Sequence, residues 1–145
     1  MTLAINDTAP DFVAETTEGK IRFHDWIGDK WAVLFSHPKD FTPVCTTELG
    51  YMAKIKPEFD KRGVKIIGLS VDPLDKHASW ASEMKFPFTL VSDPDLSIAG
   101  QYGSTIPGRK FAARTVFVVG KDGTVHYREL KFGALNEENL ALFEA

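Results

Sequence analysis

The chain has 145 residues, enough for one domain with a sizeable core. It is 43% hydrophobic and 26% charged, the composition of a globular protein, and its charges read as a mixed, solvated surface. A net charge of -3, with basic residues scattered rather than clustered, argues against a nucleic-acid partner.

The N-terminal MTLAINDTAPDF lacks the basic segment and apolar run of a secretory leader. No apolar run nears the roughly 18 residues of a membrane span, so no membrane partner is expected. KIRFHDWIGD adds a strand or turn before the core. WAVLFSH, Trp31 to His37, is almost continuously apolar between a Gly-Asp turn and Pro38, which predicts a buried central strand. In CTTELGYMAKIKPEFDKRG, Leu49, Met52, Ile55 and Phe59 recur at helical spacing. Pro57 would sit inside that helix or break it near its last turn, and Gly63 is a plausible stop.

VKIIGLSVD predicts a second buried strand. A helix follows from near Asp75, with Ala78, Trp80, Ala81 and Met84 as candidates for its buried side. PFTLVSD predicts a short strand and SIAGQYG a short helix ending at Gly103. RTVFVVGKDGTVHYREL holds two strands joined by Gly-Lys-Asp-Gly, a hairpin signal. NEENLALFEA predicts a final helix capped by Asn136. Strands alternating with helices and ending in a hairpin predict an α/β fold with a thioredoxin-like core. Its mixed central sheet carries helices on both faces, in a single domain over 1–145.

Cys45 is the only cysteine. It cannot form an internal disulfide or, alone, a thiolate metal site, which points to a reducing compartment and a cytoplasmic protein. No metal or cofactor is implied. Any redox cycle on Cys45 needs a second thiol from outside the chain. A thiol attacks as the thiolate, favoured by a helix N-terminus, a nearby cation and hydrogen bonds to sulfur. Pro38 and Pro43 precede Cys45 and a helical pattern follows, which puts the cysteine in or near a first turn. Thr42 can offer a hydroxyl. Lys39 and His37 are local cation candidates, and Arg114, opening the apolar TVFVV, is the distant one. On the residues alone two readings stay open, an inert buried cysteine and a reactive thiolate.

PKDFTPVC, with Pro38, Thr42 and Cys45, fits the peroxiredoxin pattern of proline, three residues, threonine or serine, two residues, cysteine. FSHPKDFTPVCTTELG, GVKIIGLSVDPLDKHASWASEM, FPFTLVSDPDLSIAGQYG and ARTVFVVGKDGTV resemble the one-cysteine branch related to peroxiredoxin six, over essentially the whole chain. The resemblance implies a thiol-dependent peroxidase acting on hydrogen peroxide and organic hydroperoxides. Cys45 would be the peroxidatic residue, Thr42 and Arg114 would stabilise the departing oxygen, and Pro38 would shield the sulfur. His37 would stand beside the pocket and Glu48 would hold Arg114 or a neighbouring group. Their plainer alternatives are a strand end and a solvated first-turn acid. An external thiol such as glutathione or thioredoxin would reduce the sulfenic acid.

The resemblance also implies departures. The branch usually carries a C-terminal domain after the core, and this sequence stops at Ala145 within its predicted last helix. Some animal members have a phospholipase activity resting on a GDSWG-type serine; here the stretch is GDKWA, Gly28 to Ala32, with Lys30 in the serine's place. Without that hydroxyl no serine-dependent lipase activity is expected, even though His24 is present. The competing functions are a peroxide sensor or relay passing oxidation to a partner protein, and a holdase role independent of Cys45. A homodimer is expected, through the edge strand TVHYREL or through loops near the site with Phe41 and Trp80 as contacts.

Overall fold

The computed structural model describes residues 4–37, 43–85, 89–105, 108, 110, 111, 113 and 115–129, with the backbone alone described at 43–49, 84 and 127–129. Along the chain come β1 (Val13–Thr16), β2 (Gly19–Arg22), α1 (Phe23–Ile27), β3 (Trp31–Ser36) and α2 (Pro43–Lys61). Then follow β4 (Val64–Ser70), α3 (Leu74–Met84), β5 (Thr89–Ser92), α4 (Ser97–Gln101), β6 (Thr115–Val119) and β7 (Val125–Glu129). Among the described residues the strands form one sheet in the order β2-β1-β5-β4-β3-β6-β7. The β3–β4 and β4–β5 pairs are parallel; β3–β6, β6–β7, β1–β2 and β1–β5 are antiparallel.

The apolar runs are continuous because both faces of the central strands are covered. Along β3, Ala32 and Leu34 join one core with Phe23 and Ile27 of α1, Ile98 and Ala99 of α4, Ile67, Leu69 and Phe117. Val33 and Phe35 join the other, with Met52, Ile55 and Phe59 of α2, Trp80 of α3, Ile66, Leu90 and Val116. Successive strand residues point to opposite faces, so a run with no polar position is what a sheet between two helical layers requires. The expected α/β fold with helices on both faces of a mixed sheet is the observed one.

Several elements differ in detail from the sequence expectation. The KIRFHDWIGD region supplies both β2 and the short helix α1. Helix α2 starts at Pro43, two residues before Cys45, and runs for 19 residues straight through Pro57. Glu48 is therefore its sixth residue rather than a first-turn acid. Gly63 follows with φ 68°, in the left-handed region that stops a helix at no steric cost to glycine. On α3, Ala78 is exposed, and His77 is buried with Trp80 in its place. The bulk of Trp80 fixes which face turns inward, and residue 77, three positions earlier, follows it. Trp80 is fully buried within its own chain, so it cannot serve as the loop contact of a dimer. The hairpin closes where Gly120 and Thr124 pair, with Gly123 at φ 81°, and β7 forms one edge of the sheet. The predicted helix over NEENLALFEA, with its Asn136 cap, and Phe41 lie outside the described residues.

Candidate active site

The parallel strands β3, β4 and β5 direct their carboxyl ends to one edge of the sheet, and antiparallel β6 begins there. In open α/β sheets this is the edge where ligands bind. β3 leaves it at Ser36 and the chain re-enters as α2 at Pro43. Pro43 takes the first helical position, where its missing N–H is no loss. Cys45 is the third residue of α2 and so lies in the first turn. The amides there lack intrahelical acceptors, and the helix dipole presents its positive end, which favours a thiolate over a thiol. No acidic residue stands in that turn to oppose it. Glu48 follows three positions along the same helix. Pro38, Thr42 and Arg114 lie outside the described residues.

Around this edge the buried groups are unusually polar: Ser36, His37, Ser70, Asp72, His77, Asp93, Ser104 and Thr115. His37 continues the β3–β4 pairing, its N–H donating to the Leu69 carbonyl at 3.0 Å. Its ring lies 5.3 Å from that of Trp80 and 6.1 Å from that of His77, centroid to centroid. His37 thus ends the β3–β4 pairing and packs, buried, against two rings of α3. Asp72 holds Lys76 at 3.3 Å, and its carbonyl accepts the Ser92 hydroxyl at 2.8 Å. Asp93 accepts the Ile98 and Ala99 amides at 3.1 and 2.9 Å, and burial raises its pKa against those two bonds.

On the other side of β3, Ser36 and Thr115 are register partners. The segment that bears Arg114 thus starts beside the strand that leads toward Cys45. The sequence pattern pointed to Cys45 and Arg114 but missed the hydroxyls of Ser36, Ser104 and Thr115 between their segments, and it missed His77. The signal available was a small polar residue closing or opening an apolar run, as in VLFSH and RTVFVV.

A separate cavity of about 160 Å³ is lined by His24, Ile27, Gly28, Lys121, Asp122 and Gly123. It sits toward the amino end of β3, away from Cys45. The His24 ring is engaged with the Ala9 carbonyl at 2.7 Å. Among the described residues no cluster of three or more metal-ligating side chains occurs, and no helix is long and apolar enough to cross a membrane.

The AhpC/TSA family model matches residues 5–128. The chain belongs to the AhpC/TSA family. This AhpC/TSA chain is 46% identical to peroxiredoxin-6 of Gallus gallus, an alignment covering 83% of the chain and 61% of that relative, so it spans about three fifths of the relative's length. It resembles the crystal structure of a cysteine-to-serine mutant of the peroxiredoxin 6 of Arenicola marina, with a TM-score of 0.88 and 34% identity over 97% of this chain and 70% of that one. It also resembles a yeast mitochondrial 1-Cys peroxiredoxin, with a TM-score of 0.87 and 39% identity over 99% and 76% of the two chains. That yeast protein was studied for thiol resolution through glutathione and thioredoxin systems.

Proposed function

We propose that this chain is a thiol-dependent peroxidase that reduces hydrogen peroxide and organic hydroperoxides through Cys45. The observation that carries the reading is the place of the only cysteine. It stands in the first turn of α2, at the carboxyl edge of the central parallel strands, in a chain of the AhpC/TSA family.

The thiolate of Cys45 attacks the terminal oxygen of the hydroperoxide. An S–O bond forms, the O–O bond breaks, and the departing oxygen takes a proton to leave as water or an alcohol. Sulfur is oxidised to sulfenic acid and the peroxide is reduced. Thr42, Arg114 and the first-turn amides of α2 stabilise the charge that develops on oxygen, and Pro38 keeps bulk water from the sulfur. An external thiol then displaces hydroxide from the sulfenic acid, giving a mixed disulfide and water, and a second thiol releases Cys45. The likeness to a yeast protein resolved through glutathione and thioredoxin systems supports those two as first choices of reductant. β7, an edge strand, supports a homodimer in which two such edges pair.

The test is peroxide consumption with a panel of reductants, comparing wild type with Cys45→Ser. One equivalent of peroxide should give one sulfenic acid per chain, seen as the mass of one added oxygen, and turnover should need added thiol. A Cys45→Ser protein that consumed peroxide at the wild-type rate would overturn the assignment. Light scattering at micromolar concentration should give the mass of two chains.

A further inference from the structure

Three hydroxyls meet at the sheet edge beside the Arg114 segment. Ser36, Ser104 and Thr115 are 5%, 1% and 2% exposed. The Ser36 hydroxyl donates to the Ala113 carbonyl at 2.5 Å. A hydroxyl has one proton to give, so in its contact with the Thr115 hydroxyl at 2.6 Å Ser36 must accept. Thr115 has then used its own proton, and it accepts from Ser104 at 2.7 Å. The result is a chain with one direction: Ser104 to Thr115 to Ser36 to the Ala113 carbonyl.

Two backbone bonds close the arrangement. The Thr115 N–H donates to Ser36 Oγ at 3.2 Å, and the Ala113 N–H donates to the Ser104 carbonyl at 2.8 Å. Ser36 thereby fills its one donor and both acceptor places. Ala113 is held at N–H and C=O; Thr115 is held at N–H and side chain. Arg114 is the one residue between them. Burying three hydroxyls and a carbonyl is costly unless each is bonded, and a fully bonded network is rigid.

We propose that Ser36 and Thr115 are positioning residues that act through Arg114, whose two chain neighbours, Ala113 and Thr115, the network holds. This rests on the peroxidase reading above. Ser36 also ends the strand that precedes the cysteine-bearing helix, so one hydroxyl joins the end of β3 to the opening of β6.

The experiment measures the second-order rate of Cys45 oxidation by hydrogen peroxide and the pH profile of its alkylation. Ser36→Ala and Thr115→Val should each slow oxidation about tenfold, the worth of one well-placed hydrogen bond. Both should also move the alkylation profile to higher pH, a change that general loosening of the fold would not produce. Thr115→Ser keeps the hydroxyl and should stay within about twofold of wild type. In an Arg114→Ala background, Ser36→Ala and Thr115→Val should each change the rate by less than about twofold, because residues that act through a third lose their effect when it is gone. A tenfold loss that persisted without Arg114, or wild-type rates in both variants, would overturn the proposal. If wild type shows no Cys45-dependent peroxide consumption, the peroxidase reading itself fails. If it does, and Arg114→Ala is slow while the two hydroxyl variants are not, only the positioning role fails. Should Ser36→Ala not fold, the Thr115→Val and Thr115→Ser pair decides the matter.

Discussion

Gly68 of β4 lies across the ladder from Phe35 of β3, and a methyl group at position 68 would come within 2.8 Å of the Phe35 ring. The same methyl would also come within 2.8 Å of Leu90. Real carbon contacts do not approach so closely, and all three residues sit in the core beneath α2 and α3. Gly68→Ala should therefore overpack that core and cost about 1–3 kcal/mol of stability. Urea denaturation monitored by tryptophan fluorescence measures it. An unchanged midpoint would mean that Phe35 can turn aside without penalty.

Pro57 is exposed, yet α2 runs past it to Lys61. Proline there removes one helical hydrogen bond, the one whose acceptor would be the Ala53 carbonyl. Ile55 and Phe59, on either side, bury themselves against the sheet and hold the helix in place despite the lost bond. Pro57→Ala should restore the bond and stabilise the protein by roughly 1–3 kcal/mol. A chemical denaturation midpoint no higher than wild type would show that the missing bond at Pro57 costs the folded helix nothing.

The central strands were legible because the sheet is covered on both faces, so Trp31–Phe35 shows as an unbroken apolar run and Val64–Ser70 as one interrupted only near its start, by Lys65. The hairpin was legible through Gly-Lys-Asp-Gly. α3 was legible as a helix, and Trp80 and Ala81 lie on its core side as expected. Among its described side chains only Ala78 was misplaced: alanine outranks histidine on any apolar scale, yet His77 goes in and Ala78 stays out. Trp80 decides this, and a sequence pattern that weights residues equally cannot register its bulk. At the candidate site, Cys45 was marked by its prolines and the following helical pattern. The Ser36–Thr115 pairing was not, because the partners stand 79 residues apart and neither is distinctive by itself. Only the antiparallel register of β3 and β6 brings them together.

The turn between β6 and β7 is held by a carboxylate. Asp122 accepts the Thr124 N–H at 3.1 Å, the Thr124 hydroxyl at 2.8 Å, and the His126 ring at 3.2 Å. These bonds, led by the Thr124 amide, lower its pKa to about 2. An unfolded chain would titrate this group near 3.9. The folded value is the lower one, so the stabilisation is fully present above the unfolded value. It is lost as pH falls from about 4 through about 2. Asp122→Asn should be less stable than wild type at neutral pH, and the gap should narrow across that acid window. Denaturant midpoints of both proteins at a series of pH values test this. A gap that stayed constant down to the bottom of the window would rule out the carboxylate's charge as its source.

The reactivity of Cys45 and the stability of α2 can be separated by one added charge. The first turn of α2 holds no acidic residue, and Thr46 directly follows the cysteine in it. A glutamate at 46 would interact well with the positive end of the helix dipole, so Thr46→Glu should leave the thermal midpoint unchanged or raise it slightly. The same carboxylate would disfavour a neighbouring thiolate. The alkylation profile of Cys45 should move to higher pH by about one pH unit, and its oxidation by peroxide at neutral pH should slow accordingly. Thr46→Lys should act in the opposite sense on both properties, lowering the pH at which Cys45 alkylates while weakening the helix start. Alkylation kinetics against pH, set beside thermal melts of the same three proteins, make the comparison. If stability moved as predicted and the alkylation profile did not, the N-terminal turn of α2 would not be what activates the sulfur.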